Sequence, residues 1–284
     1  MIEKAVASPA DLVFLDLEDA VAASEKVKSR AVVAHAFNNL DWGHKPKTYR
    51  INALDTPYFY RDLIDVIEAS AGLVDLVIVP KVNRAEDVYV VETLLAAIER
   101  AHQIARPIGI EVQIETAQGL LNCERIATAS DRIESIVFGP GDFAASIRMP
   151  VASIGAPDAW DADYPGHRYH DAMSRILVSG RAAGIRVIDG PYADFQDRDG
   201  LAASCRRARA LGFDGKWCIH PGQIEVVNAR FTPTAEEIAW AEKIVAAANE
   251  AEGAGRGAAD VDGRMIDGAS VRMARVTLEQ SDRA

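Results

Sequence analysis

Two carboxylates, Glu115 and Asp142, stand just beyond two short apolar runs, residues 108–114 and 133–138. If those runs are neighbouring strands of one sheet, the acids end on a common face and offer two hard oxygen ligands to one site. Mg²⁺ takes such a set, one or two carboxylates with the remaining positions left to water and substrate oxygens. Arg50 ends the run 48–51, and Lys81 follows the run 76–79 across Pro80. A guanidinium there can grip a carboxylate in a two-point fork, whereas an ammonium offers a point charge. The plainer role for both cations is a buried ion pair with Asp16, Glu18 and Asp19, which follow a further apolar run. For Lys81 that plainer role is the one expected.

The same pattern recurs along the chain. The apolar runs end in Asp16-Leu17-Glu18-Asp19, Arg50-Ile51-Asn52, Pro80-Lys81, Glu115-Thr116, Gly139-Pro140-Gly141-Asp142, Asp189-Gly190-Pro191 and Ile219-His220-Pro221. One carboxylate after a strand is ordinarily a helix N-cap. A series of such ends is what parallel strands bring to one face, the face on which (β/α)8 barrels carry their active sites.

The positioning elements are β-rich runs over residues 12–17, 48–51, 76–79, 108–114, 133–138, 186–188 and 216–219. Helical patterns over 24–38, 57–71, 85–101 and 197–211 alternate with them, with N-caps expected at Ser24 and Thr56 and Pro57 at a first helical position. This alternation predicts an α/β fold, a (β/α)8 TIM barrel of which seven strands are visible and the first is missing. Residues 1–231 are expected to form the catalytic barrel, and 232–284 a C-terminal helical extension and mobile lid. Within that extension the reading is a helix over 232–252, a Gly-rich hinge over 253–257 and a final segment without a strand.

Composition narrows the partners. The 284 residues are 49% hydrophobic and 26% charged, enough for one large core and against disorder. A net charge of −11, with no Lys/Arg stripe, argues against nucleic acid and against an anionic membrane surface. The apolar runs are far shorter than the roughly 20 residues of a spanning helix, so a cytoplasmic protein is expected. Cys123, Cys205 and Cys218 are too few and too scattered for a disulfide framework or a zinc ribbon and are expected as buried thiols. His167 and His170, beside Asp163 and Asp171, lack a third ligand for zinc. Gly139-Pro140-Gly141 lacks the remaining residues of a dinucleotide fingerprint and reads as a close approach of backbone to ligand.

The strand-end signatures, in this order, resemble the citrate lyase β-subunit and malyl-CoA lyase family. The most specific pieces are Leu15-Asp16-Leu17-Glu18-Asp19-Ala20-Val21, Arg50-Ile51-Asn52, Ile114-Glu115-Thr116-Ala117, Phe138-Gly139-Pro140-Gly141-Asp142-Phe143 and Lys216-Trp217-Cys218-Ile219-His220-Pro221. The malyl-CoA (β-methylmalyl-CoA) lyase branch is the nearest likeness, on Leu40-Asp41-Trp42-Gly43, Leu54-Asp55-Thr56-Pro57 and the tail Gly263-Arg264-Met265-Ile266-Asp267. The resemblance implies a Mg²⁺-dependent barrel enzyme, with Mn²⁺ as a substitute, that reversibly splits a malyl-CoA-type thioester into glyoxylate and acetyl-CoA. It implies Glu115 and Asp142 as metal ligands and Arg50 as the holder of the 2-oxo acid, with Gly141 beside Asp142 in the substrate site. Lys4, Ile219 and His220 would contact CoA, and Asp267 would be a catalytic acid reaching a neighbouring subunit of a homo-oligomer, a trimer or hexamer. Family members carry a strand and a Pro-Gly turn ahead of the Met1-Ile2-Glu3-Lys4 segment, and this sequence departs from them there. Rival readings are a malyl-CoA thioesterase or citramalyl-CoA lyase on the same scaffold, an imine-forming aldolase using Lys81, and a non-catalytic CoA-binding protein.

Overall fold

Leu76-Val77-Ile78-Val79 has no polar residue, and all four side chains are buried, as befits a strand covered on both faces. In the computed structural model of the chain, which describes residues 1–164 and 166–281, this run is the third of seven parallel strands. They are β1 (Val13–Asp16), β2 (Lys47–Arg50), β3 (Leu76–Val79), β4 (Gly109–Ile114), β5 (Ile133–Phe138), β6 (Arg186–Asp189) and β7 (Gly215–Lys216), hydrogen-bonded in sequence order. That order sends every C-terminal end to one side. α1 (Ile2–Val6) precedes the sheet, and the connections hold α2 (Lys26–Asn39), α3 (Phe59–Ala69), α4 (Ala85–His102), α5 (Ala117–Leu121), α6 (Cys123–Ala127), α7 (Pro140–Ser146), α8 (His170–Ala183) and α9 (Arg198–Leu211). α10 (Pro221–Phe231) follows β7.

The sheet curls without closing into the expected eight-stranded barrel. β1 and β7 are its two edges, and they approach through side chains: the Phe14 ring lies 4.6 Å from that of Trp217, which follows β7. On β4 the period-two alternation divides two environments. Ile110, Val112 and Ile114 are fully buried on one face, while Glu111 and Gln113, followed by Glu115, are buried on the other. The inner face is therefore polar.

Two expected caps are not formed. α2 begins at Lys26, after Glu25 rather than Ser24, because the Lys26 ammonium is drawn to the carbonyls of Leu17 and Glu18 at 3.0 and 2.9 Å. α3 begins at Phe59, and the Thr56 hydroxyl serves the turn ahead of it, donating to the carbonyl of Ala53 at 2.7 Å and accepting the Tyr58 N–H at 3.4 Å. Strand and helix ends otherwise shift by a few residues, the largest change being β7, which ends at Lys216.

Residues 1–227 form one compact unit and 228–284 a second. In the second, α11 (Ala235–Gly253) starts in a reciprocal capping box of Thr234 and Glu237, followed by β8 (Ala259–Val261), β9 (Arg264–Ile266) and α12 (Gly268–Ser281). The tail thus has two strands, contrary to expectation. They form a hairpin whose two-residue turn, Asp262-Gly263, has both φ angles positive, +53° and +75°, the conformation that suits the twist of a tight hairpin. Gly253, expected in a hinge, instead ends α11. Ala241, Ile244, Val261, Ile266 and Ala274 make this unit's own core. No described helix is long and apolar enough to cross a membrane. Cys123, Cys205 and Cys218 form no disulfide; Cys123 and Cys205 are buried and Cys218 half-buried.

Candidate active site

Glu115 emerges at the end of β4, and both its oxygens are engaged. Oε1 accepts the backbone N–H of Lys81 at 2.8 Å, and Oε2 accepts the Gln113 side-chain amide at 2.6 Å. Lys81 adopts a left-handed backbone, φ +52°, as it delivers that N–H. Gly139 is needed on the other side: a Cβ there would sit 2.5 Å from both Cβ and Oε2 of Glu115. The close approach read from Gly139-Pro140-Gly141 is thus made by a glutamate side chain, whereas Gly141 faces Ile154. Burial, reinforced by the negative charge of Asp142, pushes the Glu115 carboxyl up to about 8. Asp142, in the first turn of α7, is partly exposed, and its carboxylate lies 3.6 Å from Lys81 Nζ.

Arg50 and Lys81 both take the ion-pair role. Asp16 and Arg50 are direct partners across β1 and β2, and Nε and Nη2 of Arg50 donate to the two Asp16 oxygens at 2.8 and 2.6 Å. Nη1 of Arg50 lies 3.0 Å from Glu18. Burial opposes the charge on Asp16, but the Arg50 fork outweighs it and holds the carboxyl below its usual range. Burial also opposes the charge on Arg50, and Asp16 and Glu18 more than compensate, so it stays cationic. Its guanidinium lies over the rings of Phe14 and Trp217 at 5.9 and 5.8 Å. Two of its five N–H donors bond Asp16 and Nη1 is ion-paired with Glu18, which leaves N–H groups on the guanidinium for a ligand. Lys81 Nζ bonds Glu18 at 2.5 Å and lies 3.6 Å from Asp19.

Among the described residues, the ion pairs of Asp16, Glu18, Asp19 and Asp142, which gather with Glu115, are made with two cations, Arg50 and Lys81. Each Glu115 oxygen has one donor and keeps acceptor capacity, so the donor set fits a hard divalent cation held by Glu115 and Asp142. The described residues contain no group of three or more His, Cys, Asp or Glu placed to hold a metal ion, so the fit rests on these two carboxylates with water and substrate oxygens completing the set.

The remaining expected residues take no part in these hydrogen bonds and ion pairs. Lys4 is exposed on α1. Ile219 and His220 are exposed ahead of α10, with both backbone N–H groups held by Gln223 Oε1 at 2.9 and 3.2 Å. The His220 ring stacks on Phe195 at 4.6 Å. Asp267 is in the second unit, where it caps α12 by accepting the N–H groups of Ala269 and Ser270 at 2.9 and 3.0 Å. These bonds, those from Ser270 foremost, hold its carboxyl below the usual range.

Sequence reasoning missed Gln113, although alternation along β4 puts it on the Glu115 face. It also missed the buried pair of Lys216 and Asp189, 2.6 Å apart at the ends of β7 and β6. Glu111 is a third unforeseen group: burial pushes its carboxyl up to about 7 against hydrogen bonds from Ser135 and Trp217.

A family model described as HpcH/HpaI aldolase/citrate lyase matches residues 1–221. The chain is 41% identical to an L-malyl-CoA/beta-methylmalyl-CoA lyase of Cereibacter sphaeroides, over 99% of this chain and 91% of that protein. It is 36% identical to a (3S)-malyl-CoA thioesterase of the same organism, over 99% of this chain and 90% of that protein. Among solved structures, the CitE protein of Mycobacterium tuberculosis in complex with magnesium, acetoacetate and coenzyme A gives a TM-score of 0.74 at 31% identity, covering 96% of this chain and 90% of that one. A citrate lyase of Burkholderia xenovorans gives 0.83 at 23% identity, covering 95% of this chain and 83% of that one, and shares the fold.

Proposed function

The chain belongs to the HpcH/HpaI aldolase/citrate lyase family, and on that premise we propose that it is a Mg²⁺-dependent carbon–carbon lyase acting on malyl-CoA-type 3-hydroxyacyl-CoA thioesters. Cleavage breaks the bond between the hydroxyl-bearing carbon and the carbon next to the thioester, releasing glyoxylate and acetyl-CoA; condensation is the reverse. The observation that carries this reading is the excess of carboxylates gathered at Glu115 and Asp142 beside the Arg50 guanidinium, only two of whose N–H groups are hydrogen-bonded.

Glu115 and Asp142 would hold the metal, with Mn²⁺ as a substitute, and the ion when bound supplies Lewis-acid polarisation of the oxygens on the acid half. Arg50, kept in plane by the Asp16 fork, offers its remaining N–H groups to the carboxylate of that half. Gly141, packed closely on Ile154, would set the backbone that presents Asp142 to the substrate. Lys4 offers charge to the CoA phosphates, and Ile219 with His220 an apolar and aromatic surface to the CoA moiety.

As the bond breaks, the hydroxyl gives up its proton to solvent and becomes the glyoxylate carbonyl, while the acetyl-CoA carbon gains the electron pair and takes a proton, which we assign to Asp267. As an exposed helix cap Asp267 is held ionised, so the role requires desolvated surroundings, supplied in this reading by a neighbouring subunit of a cytoplasmic trimer or hexamer. Asp267→Asn should lower turnover about a hundredfold while leaving substrate binding intact. Unchanged turnover would remove Asp267 from the mechanism.

The thioesterase relative favours a second reading, attack of water on the thioester carbonyl, with citramalyl-CoA cleavage as a variant in substrate. Incubation of acetyl-CoA and glyoxylate with the protein and Mg²⁺ separates lyase from thioesterase. A lyase forms malyl-CoA; a thioesterase alone accumulates none from these two compounds.

A further inference from the structure

Gln113 is buried on the inner face of β4, two residues before Glu115 and on the same side of the strand. Its amide nitrogen donates to Glu115 Oε2 at 2.6 Å, while its own Oε1 is buried with no hydrogen-bond partner. This orientation is dictated by Glu115. In the cation-binding form Glu115 is ionised and only accepts, so turning the amide would set oxygen against oxygen. The fold therefore leaves a buried carbonyl oxygen unsatisfied, a destabilising arrangement, in order to keep an N–H on this one carboxylate.

The surroundings leave Glu115 little other support on that side. Oε1 is anchored by a backbone donor at Lys81, but Oε2 lies against Gly139, which has no side chain to offer. Gln113 is the only side-chain donor among the described residues that bonds Glu115. Without it the carboxylate would keep one anchor and could rotate about its terminal bond.

We infer that Gln113 is the positioning residue for the divalent-cation site, fixing the plane of the Glu115 carboxylate so that its free lone pairs face the position shared with Asp142. The inference rests on the metal reading proposed above. Groups that orient a metal ligand act through the geometry of that ligand, and losing one typically weakens metal binding by roughly 10–100-fold. Gln113 would act in this way without touching metal or substrate.

The test is Mn²⁺ binding to the protein without substrate, followed by electron paramagnetic resonance, together with thermal melting in EDTA. Gln113→Met keeps the length of the side chain, removes the donor and removes the unsatisfied oxygen. It should bind Mn²⁺ at least about tenfold more weakly than the parent, with a melting temperature equal to or above the parent's. Gln113→Asn keeps an amide that is too short to reach Oε2 and should weaken binding similarly. Parent-like affinity in Gln113→Asn, or in a folded Gln113→Met, overturns the positioning role. A parent protein that binds no Mn²⁺ overturns the metal reading itself, a separate outcome. If Gln113→Met does not fold, the Gln113→Asn titration decides.

Discussion

Glu115→Gln is expected to lose about three orders of magnitude or more in malyl-CoA turnover, while the protein stays folded. The change preserves volume but removes the charge and one of the two ligand oxygens, and its new NH₂ group either meets the donor-only Lys81 N–H or forces the Gln113 amide to turn its oxygen inward. Stability should move the other way. In EDTA the native carboxyl is raised to about 8 from an ordinary value of 4.5, so the native state binds more protons than the unfolded one between those values. Parent stability then falls as pH rises through that window, and the glutamine variant, which cannot ionise, escapes the fall. Chemical denaturation at pH 5 and pH 8 should show Glu115→Gln gaining on the parent at the higher pH. Turnover within tenfold of the parent would remove Glu115 from the active site.

Arg50→Lys should cost about a hundredfold in turnover even though the charge is kept. A lysine can replace one contact with Asp16 or Glu18, but not the fork that spans both Asp16 oxygens while a third nitrogen meets Glu18. Nor does a flexible ammonium lie flat over Phe14 and Trp217. The variant should also lose about 2 kcal/mol of stability, because Asp16 keeps a largely buried charge with a poorer partner. The clamp and the structural pair are separable in the condensation direction. If Arg50 also binds the oxo acid, the KM for glyoxylate rises more than the KM for acetyl-CoA; equal rises, or none, would leave Arg50 with its structural role alone.

Much of this site was legible because a strand buried on both faces has a compact signature. Leu76-Val77-Ile78-Val79 and Ile133 to Phe138 stand where their composition puts them, and in a parallel sheet a strand end also gives the side on which Glu115, Asp142, Arg50 and Lys81 gather. What a strand end cannot reveal is pairing. Whether Arg50 faces solvent or Asp16 depends on the register between β1 and β2, which is a tertiary property. Gln113 and Glu111 were passed over because polar residues inside an apolar run look like interruptions, when here they line a polar interior. The hairpin in the tail was missed for a different reason. Its strands have three residues each, too short for periodicity, and Asp262-Gly263 was the only local signal. β7 is shorter than its apolar run suggests because, after the Trp217 N–H bonds the Asp189 carbonyl, the N–H groups of Ile219 and His220 turn to the Gln223 side chain.

The most direct measurement is a mass balance on malyl-CoA incubated with metal-stripped protein, before and after Mg²⁺ is restored, with glyoxylate, acetyl-CoA, malate and free CoA quantified in one sample. The proposed chemistry predicts no turnover in EDTA and, with Mg²⁺, one glyoxylate and one acetyl-CoA for each malyl-CoA consumed. Glyoxylate release at the full rate in EDTA, or malate and free CoA as the only products, would contradict it.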